Sequence, residues 1–372
     1  MNGSYRKRGD KWSYIVDLGP DPATGKRRQK EKGGFKTKKE AQAAAAELIV
    51  QLENNNYRKP VKQLLEKYLS DWLESKRISL KSNTYASYKH HIEYHIIPAM
   101  GKIDITKLTP AEIGKFYATL LNEKKLAEGT VRDVHKVFTA ALNQAVKWGI
   151  IQRNPAALVE KPRAGRKELS VWTAEQAKEF LKIALTDRLY VAFLLALSTG
   201  MRQGEILGLR WKDVDLEAGT LHIVQTLSHD GKELSAGTKT KSGNRTVSID
   251  ADLVKILRKQ KARILQERLK AQEGEYTDYD LVTPTSKGTP VTPRNLSRTF
   301  YRLLSQSEVP HITFHDLRHT HATLLLTQGI HPKVVAERLG HADMRVTLEI
   351  YSHVLPHMQK DAAEKVGKLL FS

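Results

Sequence analysis

The chain has 372 residues with 61 Lys and Arg against 41 Asp and Glu, a formal charge of +20. That length admits two or three domains with sizeable cores, and the basic excess points to a polyanionic partner, DNA or RNA ahead of an anionic membrane. No long apolar run is available to span a bilayer, the opening MNGSYRKRGDKW has no apolar segment behind its charges and does not read as a secretory signal, and the absence of cysteine excludes disulfides and thiolate metal sites and fits a cytosolic protein.

The N-terminus reads as strands. SYRKRG and KWSYIVDLG alternate roughly in period two, with Trp12, Tyr14 and Val16 on one face. PDPATGKR is a turn, KRRQKEKGGF a third strand, and KTKKEAQAAAAELIVQLEN a helix with Thr37 as N-cap and an alanine-rich interior. A small three-stranded sheet plus one helix is expected. Residues 1–39 hold 12 basic side chains against 4 acids. That density suits phosphate contact, and a small sheet can enter a major groove, so Arg6, Lys7, Arg8, Lys11, Arg27, Arg28 and Lys30 are the expected DNA contacts. The alternative is a solvated basic face without a partner.

Residues 60–160 read as helix throughout. VKQLLEKYLSDWLES places Leu64, Leu65, Tyr68, Leu69 and Trp72 at helical spacing. SLKSNTYASYKHHIEYHIIPAMG closes on a Pro and a Gly. TPAEIGKFYATLLNEK opens with a Thr cap and Pro at the first helical position, and AEGTVRDVHKVFTAALNQAVKWGII is a long amphipathic helix closing on Gly149. Four helices in about 100 residues make a compact bundle. KPRAGRKELS, residues 161–170, reads as an interdomain linker. Beyond it Thr173 caps a helix, RLYVAFLLALSTG is a core helix ending at Gly200, EAGTLHIVQTLS and RTVSID are strands around the charged turn TKTKSGN, and helices return from about Asp252. The expected fold class is multidomain α+β. It has an N-terminal sheet with one helix (1–59), a helical bundle (60–160), a linker (161–172) and a mixed, mostly helical domain with a small antiparallel sheet (173–372).

Phosphodiester cleavage without a metal needs a nucleophile, a proton acceptor for it, a proton donor for the leaving oxygen, and fixed positive charge on the non-bridging oxygens. Four segments supply such groups: STGMRQGEILGLRWKDVD, TKTKSGNRTVSI, TFHDLRHTHATLLLTQGI and VVAERLGHADMRVTLEIYSHV. Arg202 and Arg318 offer the charge, because the planar guanidinium can hold two phosphate oxygens and stays protonated. His315 and His341 exchange protons near neutral pH. Lys241 is a candidate donor to the leaving group, and Tyr351 a candidate covalent nucleophile that needs help losing its proton.

Through these boxes the sequence resembles the tyrosine recombinase family, in its phage-integrase and conjugative-transposon-integrase branch. STGMRQGEILGLRW resembles the first-arginine box, HDLRHTHAT the His-x-x-Arg box, LGH with Tyr351 ten residues beyond His341 the closing box, and TKSGNRTV the turn that bears the catalytic lysine. The resemblance implies catalytic roles for Arg202, Lys241, His315, Arg318, His341 and Tyr351. Lys239 lies two residues from Lys241 and Arg245 follows it, so the choice of lysine stays open. It also implies an arm-type DNA-binding sheet, a core-binding bundle and a catalytic domain that together act on double-stranded DNA at arm and core sites. Further implications are a 3′-phosphotyrosyl intermediate, a homotetramer on DNA, an accessory excision or DNA-bending protein, action in the bacterial nucleoid, and no cofactor or metal. The amphipathic tail HMQKDAAEKVGKLLF could dock on a neighbouring protomer or pack on its own domain.

Competing readings are set against this one. His315, His319 and His321 could make a zinc site, but no Glu stands between them as in H-E-x-x-H, and no phosphate-binding G-x-x-x-x-G-K-[ST] loop is present. A type IB topoisomerase, or a DNA-binding regulator without catalysis, remain the other function classes. The basic N-terminal sheet argues against the first and the complete residue set against the second.

Overall fold

The computed structural model describes residues 3–20, 25, 27–53, 62–161, 170–237, 244–341, 343–351, 366–367 and 370–371. Most of the expected turn PDPATGKR, the linker core, most of the lysine turn and most of the tail after Tyr351 fall outside the described residues. The chain divides into two compact units, Met1–Arg166 and Lys167–Ser372.

At the N-terminus β1 (Gly3–Arg8), β2 (Lys11–Pro20) and β3 (Arg27–Phe35) form an antiparallel sheet in that order. Arg8 pairs with Lys11 across a two-residue turn that Gly9 enters at φ +59°, a conformation cheap only for glycine. α1 (Lys38–Glu53) covers one face, burying Tyr14 and Val16 against Ala45 and Leu48. Its start is fixed as the sequence predicts: Thr37 Oγ1 accepts from Glu40 N (3.2 Å) while the Glu40 carboxylate accepts from Lys36 N (3.0 Å).

The bundle comprises α2 (Leu65–Lys76), α3 (Ser82–His91), α4 (Ile97–Met100), α5 (Pro110–Asn122) and α6 (Glu128–Lys147). Leu65, Tyr68, Leu69 and Trp72 are buried as their spacing predicts. Leu64 departs from that pattern: it is the N-cap of α2, half exposed, and bridges to Asp104. The predicted helix over 79–101 begins only at Ser82, and it does not stop at its proline. A π-turn over Ile92–Ile96 joins α3 to α4, which carries Pro98 in its first turn. Proline lacks the N–H and crowds the carbonyl four residues back, and a widened turn relieves both problems. Thr109 and Glu112 form a reciprocal capping box at α5.

The second unit holds α7 (Ala174–Ala184), α8 (Tyr190–Thr199), α9 (Gln203–Leu207), β4 (Val214–Asp215), β5 (Thr220–Ile223), β6 (Gln225–Leu227), β7 (Leu234–Ala236) and β8 (Arg245–Ser248). Then come α10 (Ala251–Lys270), α11 (Pro293–Leu304), α12 (Asp316–Thr327), α13 (Pro332–Leu339) and α14 (Met344–Tyr351). Trp172, Phe180, Phe193, Phe300 and Phe314 pack against one another in the core with tilted and edge-on rings. One expectation fails here. The run EAGTLHIVQTLS is two strands, not one: β5 joins the sheet β4-β5-β8, while β6 pairs with β7. The break comes from α9. Gln225 donates to the Gly208 carbonyl (3.0 Å), and a Cβ at Gly204 would stand 2.6 Å from the Leu227 carbonyl oxygen, so β6 is drawn against that short helix. Among the described residues no helix is long and apolar enough to cross a membrane.

Candidate active site

Three arginines from three elements meet at one helix end. The last carbonyls of a helix have no partner inside it and carry the negative end of its dipole. At α13 those carbonyls are gripped one after another: Arg245 Nε donates to the Arg338 carbonyl (2.7 Å), Arg318 Nη2 to that of Leu339 (2.6 Å), and Arg202 Nη2 to that of Gly340 (3.5 Å). Gly340 ends the helix at φ +69° and turns the chain toward His341. Arg318 also donates to the Gly200 carbonyl (2.7 Å) at the end of α8 and is 3% exposed.

One buried carboxylate orders the first arginine. Glu205, 3% exposed, accepts from the Arg202 backbone N–H (2.9 Å) and from Arg202 Nη1 (2.8 Å). Arg245 donates to the same carboxylate through Nη1 (3.2 Å) and Nη2 (2.9 Å). Burial raises the Glu205 pKa, but Arg245 and Arg202 more than offset this and hold it below the usual carboxylate range. Arg202 has a side chain 40% exposed. Two of its five donors are committed to Glu205 and Gly340.

Burial and the neighbouring arginines lower the pKa of the site histidines. His315 stands at the N-cap of α12 with its ring 5.0 Å from that of His319, and burial together with Arg318 keeps its pKa below the ordinary value. His341 Nδ1 lies 2.8 Å from Thr347 Oγ1 of α14, and burial, then Arg318 and Arg202, push its pKa down to about 4. If Thr347 donates to Nδ1, a neutral ring carries its proton on Nε2, where it can donate to an oxyanion. His321 is buried with Nδ1 2.8 Å from the Leu197 carbonyl and Nε2 3.2 Å from Arg338 Nε. Both of its ring nitrogens are thereby engaged. Among the described residues no group of three or more His, Asp or Glu is arranged to hold a metal ion.

Of the residues singled out in the sequence, Arg202 and Arg318 meet at this helix end, which leads into His341, and His315 lies close enough to Arg318 and Arg202 to feel their charge. Tyr351 is the last residue of α14, one turn beyond Thr347, and its side chain lies outside what is described. Lys241 and Lys239 lie outside the described residues. The sequence reading missed Glu205, Arg245 and Thr347 as partners in this network. Glu205 had a legible signal, three residues after Arg202 at a helix start; Thr347 had none. In the N-terminal sheet Arg6, Lys7, Arg8, Lys11, Arg27 and Arg28 are exposed and Lys30 is half-buried. Arg27 pairs with Asp17 (2.7 Å) and Arg8 approaches Glu31 (3.6 Å).

Residues 170–358 match the Phage integrase family, residues 4–52 an Arm DNA-binding domain, and residues 64–121 the Phage integrase N-terminal SAM-like domain. The chain is 32% identical over 369 residues to the ICEBs1 integrase of Bacillus subtilis strain 168, covering 98% of this chain and 99% of that protein. It is 30% identical over 387 residues to a tyrosine recombinase XerC-like protein of Caldanaerobacter subterraneus, covering 98% of each. Its fold matches the Tn1549 transposon integrase in complex with a circular intermediate DNA, with a TM-score of 0.67 at 20% identity over 80% of this chain and 99% of that one. It also matches the lambda integrase dimer bound to a core site, with a TM-score of 0.62 at 20% identity over 93% and 94%. On the family match and the full-length likeness to these two relatives, the chain belongs to the phage integrase family of tyrosine recombinases.

Proposed function

We propose that this protein is a site-specific DNA recombinase that integrates or excises a mobile element by cleaving and rejoining double-stranded DNA through Tyr351. What supports the reading most is the convergence of Arg202 and Arg318 on the end of α13, which leads into His341 and the helix that ends in Tyr351. A cluster of fixed cations around proton carriers suits a phosphodiester whose non-bridging oxygens gain charge in the transition state.

The Tyr351 hydroxyl oxygen attacks the scissile phosphorus in line and gives its proton to His315. The bond to the 5′-oxygen breaks, and Lys241 protonates that oxygen as it leaves. The product is a 3′-phosphotyrosyl ester and a free 5′-hydroxyl. Arg202 and Arg318 hold the two non-bridging oxygens, and His341 donates to one of them. A 5′-hydroxyl from a second duplex reverses the step, so the ester conserves the bond energy and no nucleotide hydrolysis is required. The division of labour is an arm-binding domain (1–59), a core-binding domain (60–160), a linker (161–172) and a catalytic domain (173–372), working as a tetramer on paired duplexes. An accessory excision or DNA-bending protein assists, and the reaction takes place at the bacterial nucleoid. Arg6, Lys7, Arg8, Lys11, Arg27, Arg28 and Lys30 contact arm-site phosphates.

The test is Tyr351→Phe on a nicked duplex carrying the crossover sequence mapped from insertion junctions. Wild type should form a covalent adduct and join two different duplexes, while the Phe variant binds equally well and forms none. An adduct from the Phe variant at the wild-type level rules out Tyr351 as nucleophile. Relaxation of supercoils without joining of separate duplexes would favour a topoisomerase.

A further inference from the structure

We propose that Arg338, braced by His321, is a positioning residue for strand cleavage: it fixes the helix end on which the phosphate-holding arginines are mounted. The inference rests on the roles proposed above for Arg202 and Arg318. Arg338 is the penultimate residue of α13, and its side chain reaches three other elements. Nε donates to His321 Nε2 on α12 (3.2 Å), Nη1 to the Ser248 carbonyl at the end of β8 (3.0 Å), and Nη2 to the Ser198 carbonyl in the last turn of α8 (3.0 Å). His321 extends the brace, since its Nδ1 donates to the neighbouring α8 carbonyl of Leu197 (2.8 Å). The carbonyls of Leu197 and Ser198 are among the last four of that helix and have no acceptor role within it, so these two side chains satisfy them together.

Arg338 therefore faces two ways. Its side chain ties α13 to α8, α12 and β8, while its own carbonyl and the next two receive Arg245, Arg318 and Arg202. A shift of this helix end carries the Leu339 and Gly340 carbonyls with it, and the guanidinium groups they orient move too. The packing leaves little slack: a Cβ at Gly200 would stand 2.7 Å from the His321 ring and 2.6 Å from the Leu339 side chain. Three acceptors on three elements, met by one planar group, call for the guanidinium fork. A lysine ammonium is a compact point of charge and cannot span them.

The experiment compares wild type with Arg338→Lys, Arg338→Met, His321→Phe and the double variant Arg338→Met/His321→Phe. Each is assayed for single-turnover adduct formation at saturating protein on the nicked crossover duplex, equilibrium binding to the same duplex, and thermal midpoint. Arg338→Lys should slow adduct formation by on the order of 10²-fold, the effect of misplacing reacting groups by about an ångström, and leave the binding constant within about threefold. The double variant should be no slower than the slower single variant, because both side chains serve one brace. Adduct formation by Arg338→Lys within twofold of wild type overturns the proposal. So do rate losses that multiply in the double variant, and so does a matched fall of stability, binding and cleavage, which assigns Arg338 to folding alone. Failure of wild type itself to form an adduct strikes at the proposed function instead, and the two failures are read separately.

Discussion

Gly200→Ala tests whether the site depends on close backbone approach, because the structure supplies its own control. Gly200 sits at φ +66°, where an L side chain costs about 1–2 kcal/mol. The new methyl would also stand 2.6 Å from Leu339 Cδ2 and 2.7 Å from His321 Cδ2. The leucine is fully buried and the imidazole is held at both nitrogens, so neither can swing aside cheaply. Overpacking of this kind adds roughly 1–3 kcal/mol, for a total of about 2–5 kcal/mol. Gly329 has φ +78° and nothing within 4 Å of a built Cβ, so Gly329→Ala isolates the backbone cost. At about 2–4 °C per kcal/mol for a unit of this size, Gly329→Ala should lower the thermal midpoint by only a few degrees, and Gly200→Ala by clearly more. The Gly200 carbonyl also accepts from Arg318, so cleavage should fall in Gly200→Ala alone, on the order of 10²-fold, in single-turnover assays below both midpoints. Equal midpoints for the two variants, with equal cleavage rates, would refute the reasoning.

The remaining expectations use other levers. His321 has a folded pKa of about 4 against an ordinary 6.5, so the folded protein binds fewer protons than the unfolded chain between those values. Its contribution is complete above the unfolded pKa and drains away as pH falls toward the folded one, by roughly 3 kcal/mol in all. His319 and His341 act in the same direction, and a thermal midpoint unchanged from pH 7 to 5 contradicts this account. Lys241→Ala should slow cleavage severely and Lys239→Ala mildly, and a 5′-phosphorothiolate at the scissile bond should rescue Lys241→Ala because sulfur leaves without a proton. Rescue of Lys239→Ala instead identifies the other lysine. Deleting residues 1–56 should preserve cleavage of core-site DNA but abolish recombination of full sites and flatten the salt dependence of binding, since a second tethered DNA contact is lost. Footprints that still protect sites distant from the cleavage point would show that the sheet is not the arm-binding element.

Local chemistry was legible in the sequence wherever a short-range rule governs. Thr109 and Thr173 cap their helices, Gly149 and Gly200 end theirs at positive φ, and Leu65, Tyr68 and Trp72 line a core, because caps and helical periodicity depend on residues within one or two turns. The boxes around Arg202, Arg318 and His341 stood out in the sequence by their residue types, and the structure brings these residues to the end of α13. Tertiary structure decided what depends on distant partners. The break between β5 and β6 follows from the approach of α9, which no periodicity in EAGTLHIVQTLS encodes. The partnership of Glu205 with Arg245 joins residues 40 apart in sequence, and Arg338 contacts carbonyls of Ser248 and Ser198 that lie 90 and 140 residues away. Backbone carbonyls carry no residue identity, so which carbonyl each arginine grips cannot be read from the sequence until folding brings donors and acceptors together.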